Sequence, residues 1–329
     1  MKMEKITGIL QQYGIYPQAI VPITDRVYKI KAQGKQFELK RSRLDEKSLQ
    51  QLVTVYETAA KHKLHEVIPV YLTKDKKIFV TEHDGNYYLT PWLEKQHRDE
   101  KQVHSIYRQL GRIHVQTKNI FRLESKDWIK NFQNYKKNCE INGNRLLAWV
   151  ERIEKIHYPS PLELQILTHY RDLRICLHRS QTLVDQILYL SESDANWGVS
   201  LTHGNLAFDH LFDHYFINWE RSNYKHAIFD LMDLLQQVAI QEPHLRKTFI
   251  NEFSVYMEEN PLNRLEQSVL CLYLLDTEDY LRYVEKYLAK DFRNRSHVDL
   301  TVGLERIYRK IVFGLAFDAH LAKIEEKAD

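Results

Sequence analysis

The hydrophobic period of this chain changes once, at Pro91, and that change restricts the fold more than any other feature of the sequence. Before it, apolar residues alternate. Tyr28, Ile30 and Ala32 point one way from a strand, Gly34 offers a turn, and Phe37 with Leu39 restart the alternation. Residues 67–72, 77–81 and 87–90 read as three further short strands. A helix interrupts them, because Leu49, Leu52, Val53, Tyr56 and Ala60 recur at helical spacing and their stripe must pack on a sheet. Pro91 has no N–H with which to continue a ladder, so the last strand stops there. Beyond it the period is helical: Val103, Ile106, Tyr107, Leu110, Ile113 and His114 share one face. Leu304, Ile307, Tyr308, Ile311, Val312 and Leu315 repeat the pattern near the C-terminus, and residues 128–193 read as helices broken near Gly143 and Pro159–Pro161. The expectation is an α+β chain: five strands and one helix over residues 1–91, then a helical body over 92–329.

Composition removes several classes of function. Lys+Arg 47 against Asp+Glu 44 leaves a net charge of only +3, too small and dispersed to imply nucleic acid, and the basic run from Lys29 to Lys47 reads as the solvated face of a small sheet. No apolar segment follows Met1 and no stretch is long and apolar enough for a bilayer, so no membrane insertion is expected and the protein should stay inside the cell that makes it. Cys139, Cys176 and Cys271 are odd in number and far apart, which speaks for buried thiols and against a disulfide framework or a zinc cluster.

The run Thr202-His203-Gly204-Asn205-Leu206, continuing to His210 and followed by Phe216-Ile217-Asn218-Trp219-Glu220, is laid out like a kinase catalytic loop and metal-binding strand. The kinase pattern is His-x-Asp-x-x-x-x-Asn and then an Asp in a short apolar strand. The first Asp takes the hydroxyl proton, while the Asn and second Asp hold Mg²⁺. Those three places carry Asn205, His210 and Asn218 here. An amide is no general base, an imidazole is a poor ligand for a hard, oxygen-seeking ion, and Asn218 offers only a neutral carbonyl oxygen. Loss of general-base catalysis alone is worth about 10²–10⁴ in rate. No catalytic residue is therefore expected, and no cofactor. Only if phosphoryl transfer survives, with Mg·ATP, would Glu220 or Asp209 act as a surrogate carboxylate. Glu220 follows Asn218 by two residues and would return to the same face if the strand continued.

Thr202–Leu206, together with Leu110-Gly111-Arg112-Ile113-His114 and Ile228-Phe229-Asp230-Leu231, resembles the aminoglycoside phosphotransferase and choline kinase group. Within it, the segments Tyr87–Leu93 and Asn218–Tyr224 more closely resemble the CotS-type spore coat proteins of endospore-forming bacteria. The resemblance runs from about Val27 to the C-terminal helices. It implies a two-lobed protein-kinase-like fold with a small β-rich N-lobe and a larger, mostly helical C-lobe. It places a phosphate-gripping lysine at Lys40 with an ion-pair partner at Glu57, and in Asp230 an acid that braces the catalytic loop. It also implies a location and partners: synthesis in the mother-cell cytoplasm, deposition on the spore coat, other coat proteins as partners, and a small ligand of unknown identity.

Several of these positions admit two readings. Lys40 either pairs with Glu57 or stays a surface lysine, and Glu46 is a second acid in reach. Glu38 shares the strand face of Lys40, where a working kinase roofs the adenine with a small apolar residue. A carboxylate there either fills the pocket and repels the triphosphate or bridges to Lys40 across an empty cleft. The turn over residues 22–26 lacks glycine, so its backbone cannot cradle phosphates, and Asp25 adds negative charge. His203 reads as a support for the loop, Asp213 with His214 as the tip of a hairpin, and the group of His203, His210, His214 and Asp209 as a coincidence in a His-rich chain and not a metal site. Tyr273, Tyr280, Tyr283 and Tyr287 read as helical core and rim, or else as a partner surface.

Overall fold

The computed structural model describes residues 2–94, 99–122, 125–192, 196–212, 214–292 and 295–328. An amphipathic helix, α1 (Lys2–Gln12), precedes three antiparallel strands, β1 (Ala19–Pro22), β2 (Val27–Ala32) and β3 (Lys35–Ser42). Helix α2 (Glu46–His62) follows, and β4 (Val80–Glu82) and β5 (Gly85–Pro91) complete a five-stranded sheet in the order β1-β2-β3-β5-β4. Asp45 caps α2 by accepting from the Ser48 amide at 2.9 Å, and Lys63 ends it in the left-handed conformation. Leu52 and Val55 are its buried stripe. One face of the sheet is apolar by period two: Tyr28, Ile30, Phe37, Leu39, Tyr87 and Leu89 pack with Ile6, Ile9 and Leu10 of α1. Each such side chain contributes about 1.5–3 kcal/mol on burial.

Two expected strands are corrected. Residues 67–72 form no ladder and keep only isolated bridges, Val67 to Phe216 and Tyr71 to Leu89, because Pro69 removes a donor in their middle. The fifth strand is β1, four residues ending in a proline, which carries no alternation that sequence reading could have found. The strand expected at 77–81 begins only at Val80.

Helix α3 (Glu100–Gln116) is capped by Asp99 and buries the whole expected stripe from Val103 to His114. Then come β6 (Asn119–Arg122), α4 (Ser125–Ile153), α5 (Pro161–Glu192) and β7 (Asn196–Thr202). The expected break at Gly143 is absent, since one glycine costs a helix only about 1 kcal/mol. Its missing side chain has a packing reason: a Cβ there would lie 2.9 Å from Nη1 of Arg174 on α5. The break before Pro161 is real. Ser160 and Glu163 close it as a capping box, with Ser160 N donating to Glu163 Oε2 at 2.6 Å and Glu163 N donating to Ser160 Oγ at 3.3 Å.

Strands β8 (Leu211–Phe212) and β9 (Tyr215–Phe216) form the expected hairpin, and β10 (Asn223–Lys225) pairs with residues 200–202 of β7. Helices α6 (Ile228–Gln241), α7 (Arg246–Asn251), α8 (Phe253–Glu259), α9 (Arg264–Leu274), α10 (Glu278–Leu288) and α11 (His297–Ala328) complete the chain. In α11, Leu304 and Ile311 are buried as expected, whereas Val312 is 38% exposed. Tyr280 is fully buried and Tyr283 donates to the Leu300 carbonyl, so the C-terminal tyrosines belong to helical core and rim. The three cysteines are buried thiols. Among the described residues no helix is long and apolar enough to cross a membrane.

Packing groups the chain into two units, Met1–Lys118 with Ser200–Lys225, and Asn119–Val199 with His226–Asp329. The division expected at Pro91 followed secondary-structure content, and that proline does end β5. Packing adds α3 and the segment 200–225 to the unit that holds the sheet.

Candidate functional site

The residues singled out around Lys40 and the loop at 203–220 fall within one packing unit. Strand pleat starts the site. Glu38 stands opposite Thr90 and Lys40 opposite Tyr88 in the β3–β5 register, so all four project from the face away from the α1 core.

The loop that meets this face is held by its own histidine. His203 is fully buried, its Nε2 donates to the Ile217 carbonyl at 2.7 Å, and its ring lies 5.0 Å from that of Trp219 and 5.3 Å from that of His210. Support of the loop is what this ring does. Gly204 allows the loop to close, with φ +73 and a hypothetical Cβ only 2.1 Å from the Arg221 carbonyl, a position no side chain can take. At Asn218 the chain enters the left-handed region, φ 68 and ψ 46, which asparagine tolerates better than most residues. The strand therefore does not continue as expected. It turns into the 3₁₀ segment Trp219–Arg221, and the turn delivers Glu220 to the same neighbourhood by another route.

Lys40 meets two groups there. Its Nζ donates to Asn218 Oδ1 and lies 3.8 Å from Glu220 Oε1. Tyr88 donates its hydroxyl to the same Glu220 oxygen at 2.9 Å. Lys40 thus pairs with Glu220 and not with Glu57: Glu57 and Glu46 are exposed on α2, and Glu57 lines a separate groove with Val53 and Leu64. The bridge from Glu38 to Lys40 is likewise not formed, because the ammonium is drawn to the Glu220 side. Among the described residues Glu38 makes no ion pair or hydrogen bond. Burial pushes its carboxyl above the usual range, with Lys40 opposing and Glu220 adding to the rise. The cleft is not empty either. A cavity of about 30 Å³, room for a single water, remains between Glu38, Lys40, Tyr56, Tyr88, Phe212 and Asn218.

Around this cavity two tyrosines are kept neutral. Burial raises both Tyr56 and Tyr88; Glu220 and then Glu38 add to it at Tyr56, and Tyr56 and then Glu220 at Tyr88. His210, at the place of the metal-binding asparagine, donates from Nδ1 to the Asn205 carbonyl at 3.0 Å, which leaves Nε2 as the acceptor nitrogen. Burial first and then His203 pull its imidazole down to about 4, against the hydrogen bond to Asn205 and with Lys40 adding to the fall. Asp209 is exposed and does not line the cavity, and Asp213 lies outside the described residues. Asp230 is buried at the start of α6.

Sequence reasoning missed Tyr88 and Tyr56. Tyr88 could have been found from pairing, since it stands across from Lys40; Tyr56 was visible only as a member of the apolar helical stripe.

No family model matches the sequence, and no curated protein does. Solved structures do. The chain is similar to an aminoglycoside phosphotransferase from Alicyclobacillus acidocaldarius subsp. acidocaldarius DSM 446, at 14% identity and a TM-score of 0.67, over 96% of both chains. It is also similar to a spectinomycin phosphotransferase in an AMP-bound complex, at 17% identity and a TM-score of 0.51, over 95% of this chain and 98% of that one. A microcompartment-associated aminopropanol kinase aligns at 11% identity and a TM-score of 0.50, over 98% of each. Identities this low establish fold and no more: a kinase-like α+β fold, with a small antiparallel sheet in the N-terminal region and a mostly helical C-terminal part.

Proposed function

We propose that this chain, with the fold of the small-molecule phosphotransferases, is a pseudokinase: a catalytically degenerate member whose nucleotide groove is closed by its own side chains and which acts by binding. The observation that carries this reading is the state of Lys40. The lysine that would grip phosphates is occupied by Asn218 and Glu220, and the space beside it is about 30 Å³. Small-molecule and cofactor sites run to roughly 300–1,000 Å³. Glu38 adds a carboxylate where a purine would lie, and positions 205, 210 and 218 supply no carboxylate, either to take a hydroxyl proton as a kinase does or to ligate a metal. These residues do not fit Mg·ATP, and no transfer step is drawn through it.

The resemblance of residues 87–93 and 218–224 to CotS-type proteins supports a finer reading, a structural or binding component of a spore coat. The chain would be made in the mother-cell cytoplasm, deposited on the coat, and held there by other coat proteins. Affinity capture from sporulating cells should recover coat components, and recovery of none would remove this part of the reading.

Thermal denaturation with Mg·ATP tests the groove. A ligand at a hundred times its Kd adds about 2.7 kcal/mol of stability. No shift is expected up to millimolar nucleotide. The closeness of Lys40 and Glu220 favours one rival, an active small-molecule phosphotransferase that uses Glu220 or Asp209 as its carboxylate. A saturable shift with ADP formation would establish that rival; a shift without ADP would make the chain a nucleotide sensor.

A further inference from the structure

The second packing unit carries a cationic site that the reading of the Lys40 groove neither uses nor needs. Helix α7 packs against α11, and the groove there encloses about 870 Å³. A second cavity of about 680 Å³ opens beside α11, and Glu305 and Arg309 line both.

Charge on these walls does not close. Glu305 is the one acid among the lining residues, and its carboxylate is committed: Oε1 accepts from Arg309 Nε at 2.9 Å and Oε2 lies 3.6 Å from His169 Nε2. The His169 ring is fixed in turn, stacked on Tyr308 at 3.5 Å and hydrogen-bonded through Nδ1 with the Tyr280 hydroxyl at 3.1 Å. Arg246, Lys247, Arg306 and Lys323 also line the two cavities. Among the described residues none of these four has an acid within ion-pair distance.

Arg246 is the sharpest case. Its Nε and Nη2 are buried and have no hydrogen-bond partner, although charged donors taken out of water are ordinarily answered. Burial, and then the nearby Arg309, work against its charge, while Glu305 supports it. On the wall of the second cavity Gln165 Oε1 is also buried and unanswered. The opposite side of the groove is apolar, with Ile250, Val312, Phe313 and Ala316.

We propose that this double cavity binds a phosphomonoester that carries an apolar body. Arg246 lines the groove, and Nε and Nη2, covered in the free chain, form a fork that meets two oxygens of one group once the guanidinium swings into it. Four cations without acids call for more negative charge than one carboxylate supplies, and a phosphate has further oxygens for Lys247 of the same groove, while Arg306 on the adjoining cavity adds to the field. The apolar body lies along Val312, Phe313 and Ala316. A soluble phosphate ester and a lipid with a phosphomonoester head share this chemistry.

The test is calorimetric titration of the full chain with phenyl phosphate, inorganic phosphate and benzoate, beside co-sedimentation with phosphatidylcholine vesicles containing phosphatidic acid. Phenyl phosphate is expected to bind most tightly, inorganic phosphate more weakly and benzoate most weakly, with affinity falling as salt rises. Co-sedimentation dependent on phosphatidic acid would assign the lipid source, and its absence the soluble one. Arg246→Met should weaken phenyl phosphate by roughly tenfold or more without lowering the melting temperature of the free protein, because the cation it removes is unanswered. Arg306→Gln, at an exposed position that does not threaten folding, should weaken binding severalfold. The proposal falls if the wild-type chain binds none of the phosphates at millimolar concentration, or if both variants bind phenyl phosphate as it does. It falls equally if binding is lost on Lys40→Met, which would place the ester in the other unit.

Discussion

Strands β3 and β5 carry two charge clusters on opposite faces, and only in one of them does every acid meet a cation. On the α1 face, Asp84 accepts from Lys5, from Arg41 at 3.3 Å and from the Tyr87 hydroxyl at 3.0 Å. Glu82 lies 3.7 Å from Lys5, and Asp25 lies 3.7 Å from Arg41. On the other face, one residue along each strand, Lys40 and Tyr88 meet Glu220 and Asn218 while Glu38 is left over. The residue types are nearly the same. In the first cluster burial would raise the Asp84 carboxyl, yet the hydrogen bonds from Lys5, Tyr87 and Arg41 hold it down to about 2. In the second, burial wins and the Glu38 carboxyl is raised. A cluster whose acids are all answered fastens a helix to a sheet; one with an acid left over lies where the loop departs from the kinase pattern, as local conflicts collect at sites and not in scaffolds.

The largest effect that would break this contrast is Asp84→Ala, expected to cost about 2 kcal/mol in urea denaturation because it removes the closer of the two acids facing the Arg41 guanidinium, whose side chain is 11% exposed. The folded carboxyl is depressed, so its contribution is complete above the unfolded value and disappears as pH falls through about 2. A wild-type chain that melts no higher than the variant at neutral pH would show that the acids of the first cluster are no better answered than Glu38.

Next comes His210, a base held near 4 when folded against about 6.5 when unfolded. The unfolded chain takes up the proton first, so stability is complete above about pH 6.5 and falls toward pH 4. His210→Asn should flatten that acid limb by about 1.5 kcal/mol, read from melting temperatures across the window. An unchanged limb would separate His210 from the acid sensitivity of the groove.

The smallest effect sharpens the contrast most. Glu38→Gln removes the leftover charge and should add about 1 kcal/mol at neutral pH. An acid raised in the folded state favours folding only when protonated. The gain should therefore shrink as pH falls through the raised folded value toward the unfolded one, near 4.3. Destabilisation by Glu38→Gln at pH 7 would mean that the carboxylate is answered after all.

Much of this is legible in the sequence. The α3 stripe, the β2–β3 hairpin, the β8–β9 hairpin and the helix start at Pro161 were written in periodicity and turn residues, which act over a few neighbours. Strand β1 was not, because four residues without alternation gain their strand character only from pairing with β2. Gly143 misled for the converse reason: its local signal is a helix break, but the packing of α4 on α5 outweighs it. Within the candidate site, the substitutions at 205, 210 and 218 and the shared face of Glu38 and Lys40 were visible. The partner of Lys40 was not, since the turn at Asn218 decides it.

The sequence alone determined which residue types stand at each position of the loop, and with them that no carboxylate occupies the three places a kinase needs. Tertiary structure alone decided where the remaining charges go. Lys40 turns to Glu220 and not to Glu57 or Glu38, and four cations gather around two cavities in the helical unit with no acid within ion-pair distance among the described residues. Side-chain identity is local, whereas the energy of a charge depends on every group within several ångströms of it, and only folding fixes that neighbourhood.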